Sequence, residues 1–141
     1  MRKARTLIRT ALAAAVSLAA LNAQASELSR VAAAFGNTVM SIYPDGRTQK
    51  IWLHPDGQWD GLGRDGRPLA GKWTMKGDKV CLRQTRPPTL PFSYCTGFPD
   101  DPHVGVTWTS RDFGGTPIRL TVVKGMAQAV QAQPPAVSTA R

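Results

Sequence analysis

Residues 38–76 read TVMSIYPDGRTQKIWLHPDGQWDGLGRDGRPLAGKWTMK and contain three Asp-Gly turns between short β-rich segments. In Pro44-Asp45-Gly46 and Pro55-Asp56-Gly57, proline presets φ for the start of a turn, and glycine supplies the positive φ that ends it. Arg64-Asp65-Gly66 repeats the Asp-Gly pair. Turns at such regular spacing predict successive antiparallel hairpins.

The same reading extends in both directions along the chain. Predicted strands cover residues 38–43, 48–53, 58–63, 69–76, 79–86, 92–96, 103–110 and 118–124. Alternation places Val104, Val106 and Trp108 on one face of the seventh strand. In the eighth strand, the inward residues are Ile118, Leu120 and Val122.

About eight short strands joined by tight turns predict an all-β fold, either a small antiparallel up-and-down barrel or a sandwich. An eight-stranded barrel closes around a solid core or holds one small ligand. The sequence leaves open whether the barrel closes. An edge left open between the first and last strands would let another chain pair there.

Residues 1–25 have the order of a cleavable secretory signal. Arg2, Lys3 and Arg5 precede an apolar run at 11–21, and Ala23-Gln24-Ala25 gives the small-x-small exit, so cleavage is expected before Ser26. The run is too short to span a bilayer, and no later segment has about 18 consecutive apolar residues, so we expect no transmembrane segment. The predicted location is the periplasm or the exterior.

The rest of the chain divides by composition. Residues 26–36 are expected to form an N-terminal lead-in or a short helix, and residues 37–125 a β-barrel-like domain. Residues 126–141 are rich in Ala, Gln, Pro and Ser and are expected to be a disordered tail.

The chain is basic, with 18 Lys and Arg against 9 Asp and Glu and a formal net charge of +9. Part of that charge lies in the predicted signal, and the remainder is spread along the sequence. A spread of this kind is typical of a solvated surface with at most weak affinity for an anionic envelope surface. Without a dense basic stripe, nucleic acid is not an expected partner.

Two cysteines, Cys81 and Cys95, follow the signal. An even pair in an exported chain predicts a disulfide. It would close a loop of about 15 residues, which contributes about 3 kcal/mol in the chain-entropy treatment.

No catalytic or cofactor motif stands out. G-x-S-x-G, H-E-x-x-H and the P-loop are all missing from the sequence, and Glu27 is its only glutamate. The aspartates lie mostly in turns, where Asp is expected for local hydrogen bonding. His54 and His103 are interpreted as solvated loop residues, with a weak copper or zinc site as the alternative. We therefore predict no catalytic residues, no metal and no cofactor.

Two resemblances follow from residues 71–95. The Asp-Gly hairpins with Gly71-Lys72-Trp73, then residues 77–82 (GDKVCL) and Cys95, resemble small exported β-domain proteins of Gram-negative bacteria that have no assigned activity. The stretch from Trp73 through Gly77-Asp78 to Cys81-Leu82 is similar to one in periplasmic inhibitors of secreted alkaline metalloproteases. In that family the partner cysteine precedes the stretch, whereas Cys95 follows it.

The inhibitor resemblance implies an eight-stranded barrel whose N-terminal trunk enters the protease cleft. The matching trunk would be Ser26, Glu27, Leu28, Ser29 and Arg30. The leading interpretation is different: an exported, non-enzymatic binding or interaction module for an unidentified small ligand or protein partner. Its predicted site is the barrel mouth, with Trp59, Trp73 and Trp108, since aromatic side chains line most ligand pockets.

Overall fold

The computed structural model describes Ala25, residues 28–89 and residues 91–126. These residues form an all-β domain, which is preceded by α-helical residues 28–31 and a short 3-10 helix, Ala32–Ala34. The strands are β1 (Thr38–Ile42), β2 (Thr48–Leu53), β3 (Gln58–Leu62), β4 (Pro68–Lys76), β5 (Lys79–Arg86), β6 (Tyr94–Gly97), β7 (Thr107–Arg111) and β8 (Pro117–Val123). All pairings are antiparallel, and the sheet order is β6-β5-β4-β3-β2-β1-β8-β7. The predicted all-β barrel is confirmed.

The Asp-Gly turns have the predicted chemistry. At the first, the Gly46 amide donates to the Tyr43 carbonyl at 2.9 Å, and the Arg47 amide donates to the Asp45 carboxylate at 3.0 Å. Gly46 has φ +81°, which a side chain would resist. The turns at 54–58 and 63–67 repeat these bonds. Each is a three-residue hairpin loop of the type I plus bulge kind, so the aspartates there act as turn formers.

The sheet closes almost completely into a barrel. β1 pairs with β8 from Thr38–Val123 to Ile42–Arg119, so the first and last strands leave no open edge. The interruption lies between β6 and β7, which we call the seam. Side chains bridge it: the Thr96 and Ser110 hydroxyls are 2.6 Å apart, and the Trp108 indole N–H donates to the Gly97 carbonyl at 3.0 Å.

The predicted disulfide is present. Cys81 on β5 and Cys95 on β6 are directly opposite in the ladder and are joined. Among the described strands, β6 has a ladder on one side only, so the disulfide fastens a strand that borders the seam.

The seventh strand begins later than predicted. Residues 103–106 form a turn closed by the Val106 amide on the His103 carbonyl at 3.1 Å, and Gly105 has φ +93°. Val104 is consequently 45% exposed and does not face the core. The turn preference of this glycine outweighs the alternation of the two valines. In the eighth strand, Ile118, Leu120 and Val122 are buried as predicted.

One end of the barrel is filled by the plug segment, residues 31–35. Val31 and Ala34 have no exposed surface and belong to the main hydrophobic core. The Phe35 ring lies 6.0 Å from Trp73, centroid to centroid. Nearby core side chains at this end are Leu53, Val80, Phe98 and Val122.

β4 is bent where it passes Trp59. The β4–β5 register shifts between Ala70 and Gly71, and a Cβ built on Gly71 would stand 2.0 Å from the Arg83 carbonyl oxygen. Only glycine permits this approach of two backbones, which helps the sheet curl into a barrel.

Several predictions concern residues outside the described ones. The signal at 1–25, apart from Ala25, and the tail at 126–141, apart from Met126, are among them, as are Ser26 and Glu27 of the trunk. Within the described residues, no helix has the length and apolar character needed to cross a membrane.

Candidate functional site

A cavity of about 350 Å³ lies in the barrel at the end opposite the plug segment. Its walls include Ile51, Trp59, Leu82 and Ile118, from four different strands. Pockets that hold small molecules in proteins have volumes of about 300–1,000 Å³ and mainly apolar walls. The cavity has the size and lining of a small-ligand site.

The cavity exists because the inward-facing residues change from apolar to polar along the strands. In β1 it runs from Val39 to Ser41, and in β5 from Leu82 to Gln84. In β2 the direction is reversed, so Gln49 comes before Ile51. Towards the open end, the inward positions therefore carry polar side chains that do not fill the barrel.

Ser41 is the most enclosed polar residue of this lining. It is only 6% exposed, and its ladder partners are Gln49 on β2 and Leu120 on β8. Its hydroxyl has no hydrogen-bond partner among the described residues. Every fully enclosed side-chain N or O atom of these residues does have a partner, so the Ser41 hydroxyl oxygen is not fully enclosed. The Ser41 hydroxyl therefore opens onto the cavity, where a ligand or water can satisfy it.

Two carboxamides add neutral hydrogen-bonding groups to the walls. The Tyr43 hydroxyl donates to Gln49 Oε1 at 3.3 Å, which leaves the Gln49 amide protons for another acceptor. Gln84 Nε2 donates to the Pro87 carbonyl at 2.9 Å, which leaves Gln84 Oε1 as an acceptor. Both residues line the cavity.

Two exposed aromatic rings stand at the mouth. Phe92, in the loop before β6, is 58% exposed, and Phe113, in the β7–β8 loop, is 72% exposed. Both line the cavity. Exposed apolar groups that converge on one opening mark a binding site more often than scattered ones do.

The electrostatics of the mouth centre on Tyr43 and Asp112. Asp112 is the lining's carboxylate, and its Oδ1 accepts the Thr116 amide at 2.7 Å. Of the described residues, no Lys or Arg lines the cavity. Burial raises the pKa of the Tyr43 hydroxyl; the charge of Arg64, whose guanidinium lies 4.3 Å from the Tyr43 ring centroid, opposes that rise, and Asp112 adds to it.

The three predicted tryptophans are not brought together. Trp59 lines the cavity, and its indole N–H donates to the Lys72 carbonyl at 3.1 Å. Trp73 and Trp108 lie outside the lining: Trp73 belongs to the main core, and Trp108 packs between that core and the smaller cluster of Tyr43, Ile118 and Leu120. Trp73 contacts Phe35, and Trp108 packs against Phe98 with ring centroids 5.0 Å apart.

Each histidine contacts an aspartate that is close to it in sequence. His54 Nε2 is 2.6 Å from the Asp60 carboxylate, and His103 Nδ1 is 3.0 Å from the Asp101 carbonyl. Across the described part of the chain, no group of three or more His, Cys, Asp and Glu side chains is arranged to hold a metal ion.

The described part of the predicted trunk leads into the plug segment. Leu28 is 45% exposed, and Arg30 forms an ion pair with Asp100 at 3.0 Å. Residue 31 then enters the core. The trunk residues therefore lie directly upstream of an anchored segment.

Some residues of the cavity lining were not predicted from the sequence. They include Ser41, Gln49, Gln84, Asp112 and Phe113. The first three carry a usable signal, because each is a polar residue at a position where the strand's alternation expects an apolar one. Compared with known proteins, the chain matches no family model, no curated protein and no solved structure. Functional assignment therefore rests on the geometry of the site.

Proposed function

We propose that the protein is an exported, non-enzymatic binding module that holds one small ligand at the open end of its barrel. The observation that carries the proposal is the cavity of about 350 Å³, whose mouth exposes Phe92 and Phe113. A core built only for stability would be filled, because unfilled volume costs stability. Retaining the cavity is reasonable where it has an occupant.

Binding is tested with the neutral fluorophore N-phenyl-1-naphthylamine. We expect saturable binding by the full mature protein, with energy transfer from tryptophan. Leu82→Phe, which adds volume to the cavity wall, should weaken binding at least tenfold. Val104→Phe, at an exposed position in the β6–β7 loop, is the matched control and should bind as the parent does. Failure of the parent to bind, or equal binding by Leu82→Phe, would contradict the proposal.

Export is a separate part of the proposal. It is supported by the charged, apolar and small-residue order of residues 1–25. Intact mass measurement on protein from the periplasmic fraction should give a chain that starts at Ser26 and lacks two hydrogens, because the disulfide is formed. An uncleaved chain that remains in the cytoplasm would refute it.

The second candidate is an inhibitor of a secreted metalloprotease. Its support is the exposed Leu28 just before Val31, which is anchored in the core, on an eight-stranded barrel with one disulfide. Anchoring of this kind would hold a protruding trunk at low entropic cost. Deleting residues 26–30 should abolish inhibition of an alkaline metalloprotease, while Leu82→Phe should leave it unchanged. Inhibition that survives the deletion would remove this candidate.

A further inference from the structure

The chemical class of the ligand is inferred here from the same cavity and rests on the proposed function. We propose that the cavity takes an uncharged, ring-bearing small molecule that places its polar group beside Ser41 and forms a hydrogen bond with the Ser41 hydroxyl. Three features of the cavity support this inference: the absence of Lys and Arg from its described walls, the position of Ser41, and the aromatic mouth.

Below the mouth, the cavity walls offer no countercharge. The polar side chains there, Ser41, Gln49 and Gln84, are all uncharged, and none of the described Lys or Arg residues joins them in the lining. A charged group taken out of water without a partner loses its hydration and gains little in return. A ligand group that lies among these side chains must therefore be neutral.

Asp112 adds selection against anions at the mouth. It is the carboxylate of the lining, and only its Oδ1 receives a backbone hydrogen bond, from Thr116. An amphiphile with a carboxylate headgroup would leave that headgroup beside Asp112, where like charges repel. Arg64 covers the Tyr43 ring and does not line the cavity, so it offers less compensation.

Ser41 supplies a hydrogen bond that the protein leaves unused. The residue is 94% buried, and its hydroxyl, both donor and acceptor, is without a partner in the described chain. A hydroxyl or amide on the ligand would complete it. The gain is expected to be selective, because an unsatisfied polar group discriminates against ligands that lack the matching group.

The walls and mouth favour a ring over a flexible chain. Trp59 contributes an indole to the wall, and Phe92 and Phe113 border the entrance. Offset stacking and edge contacts between rings stabilise beyond the area they bury. A rigid ring also loses less conformational entropy on binding than an alkyl chain of equal size does.

The test uses three probes of one shape, 2-naphthol, naphthalene and 2-naphthoate, each competing with N-phenyl-1-naphthylamine for the full mature protein. We expect 2-naphthol to bind about five- to tenfold more tightly than naphthalene, the range of one net hydrogen bond. 2-Naphthoate should bind at least tenfold more weakly than 2-naphthol. Asp112→Asn should reduce the difference in affinity between 2-naphthol and 2-naphthoate.

The decisive variant is Ser41→Ala. It should remove the preference for 2-naphthol over naphthalene while leaving naphthalene affinity within twofold. Ser93→Ala, at an exposed serine outside the lining, is the matched control and should keep the preference. If Ser41→Ala does not fold, Ser41→Cys keeps the size with a much weaker hydrogen-bonding group and should give the same result.

The outcomes separate the two proposals. Tightest binding by 2-naphthoate, or a 2-naphthol preference that persists in Ser41→Ala, overturns the ligand class while leaving a binding module in place. If neither the naphthalene probes nor N-phenyl-1-naphthylamine binds, the proposed function itself fails.

Discussion

The two ends of the barrel use the same strands for different purposes. At the plugged end, inward positions carry Trp73, Val80 and Val122, and residues 31–35 close what remains. At the open end, the same alternation carries Ser41 and polar carboxamides around a cavity. The two ends therefore differ in packing: one is filled with apolar side chains, and the other keeps a space beside a smaller cluster of Tyr43, Ile118 and Leu120.

Removing a large buried side chain from the plugged end should have the largest effect on stability. Trp73→Ala should lower the free energy of unfolding by about 3–5 kcal/mol, because a large buried side chain is replaced by a cavity. Phe113→Ala at the mouth should change it by less than about 0.5 kcal/mol, since that ring is exposed. Urea unfolding of both variants measures the difference, and comparable losses would mean that the ends share stability equally.

Removing the disulfide should show how far the cavity wall depends on the position of β6 beside the seam. Replacing both cysteines, Cys81→Ala with Cys95→Ala, should cost about 3 kcal/mol, because the unfolded chain regains the entropy of the closed loop. Ligand-probe affinity should fall as well, since Tyr94 on β6 lines the cavity. Denaturant midpoints and probe titrations of the double variant provide both numbers. Unchanged probe affinity would show that β5 and the seam contacts hold β6 unaided.

An apolar substitution at Ser41 should raise the free energy of unfolding, whereas most core substitutions lower it. Ser41→Val removes an unpartnered hydroxyl and adds apolar volume, so stability should rise by about 1 kcal/mol. The same variant should lose its preference for 2-naphthol. Thermal unfolding checks the first effect. A destabilised variant would mean that the hydroxyl has a structural role.

The smallest expected effect is on the pH dependence of stability. Burial raises the pKa of Tyr43 above its ordinary value of 10.0, so the folded state holds this proton more tightly than the unfolded chain does. The resulting stabilisation is complete below pH 10 and is lost as the pH rises through the folded pKa. Tyr43→Phe should therefore lose stability less steeply above pH 10.

The titration is directly observable because the sequence has only two tyrosines. The difference between the tyrosinate absorbance curves of parent and Tyr43→Phe isolates Tyr43. A midpoint at or below 10 would contradict the predicted direction.

Local chemistry accounts for what was predictable. The Asp-Gly turns depend on neighbouring residues alone, and β2 and β5 have the bounds that the sequence predicts. β7 was placed too early because two alternating valines suggested a strand, while the turn at Gly105 prevailed. The candidate site was harder to predict, because its residues come together only through the register of the strands, as Ser41 and Gln49 do. The sequence shows four tryptophans, but it does not show at which level along the barrel axis each of them lies.

The seam also determines where the chain could be cut. Ordered from β7, the sheet runs β7-β8-β1-β2-β3-β4-β5-β6, with every strand beside its neighbour. Sequence position 125 already lies against position 37, where the Asn37 side chain accepts the Gly125 amide at 2.8 Å. A circular permutant that starts in the β6–β7 loop and joins the old ends by a short linker would be a simple consecutive meander. It should retain the cavity and the probe affinity, and its folding would no longer require the first and last strands of the chain to find each other.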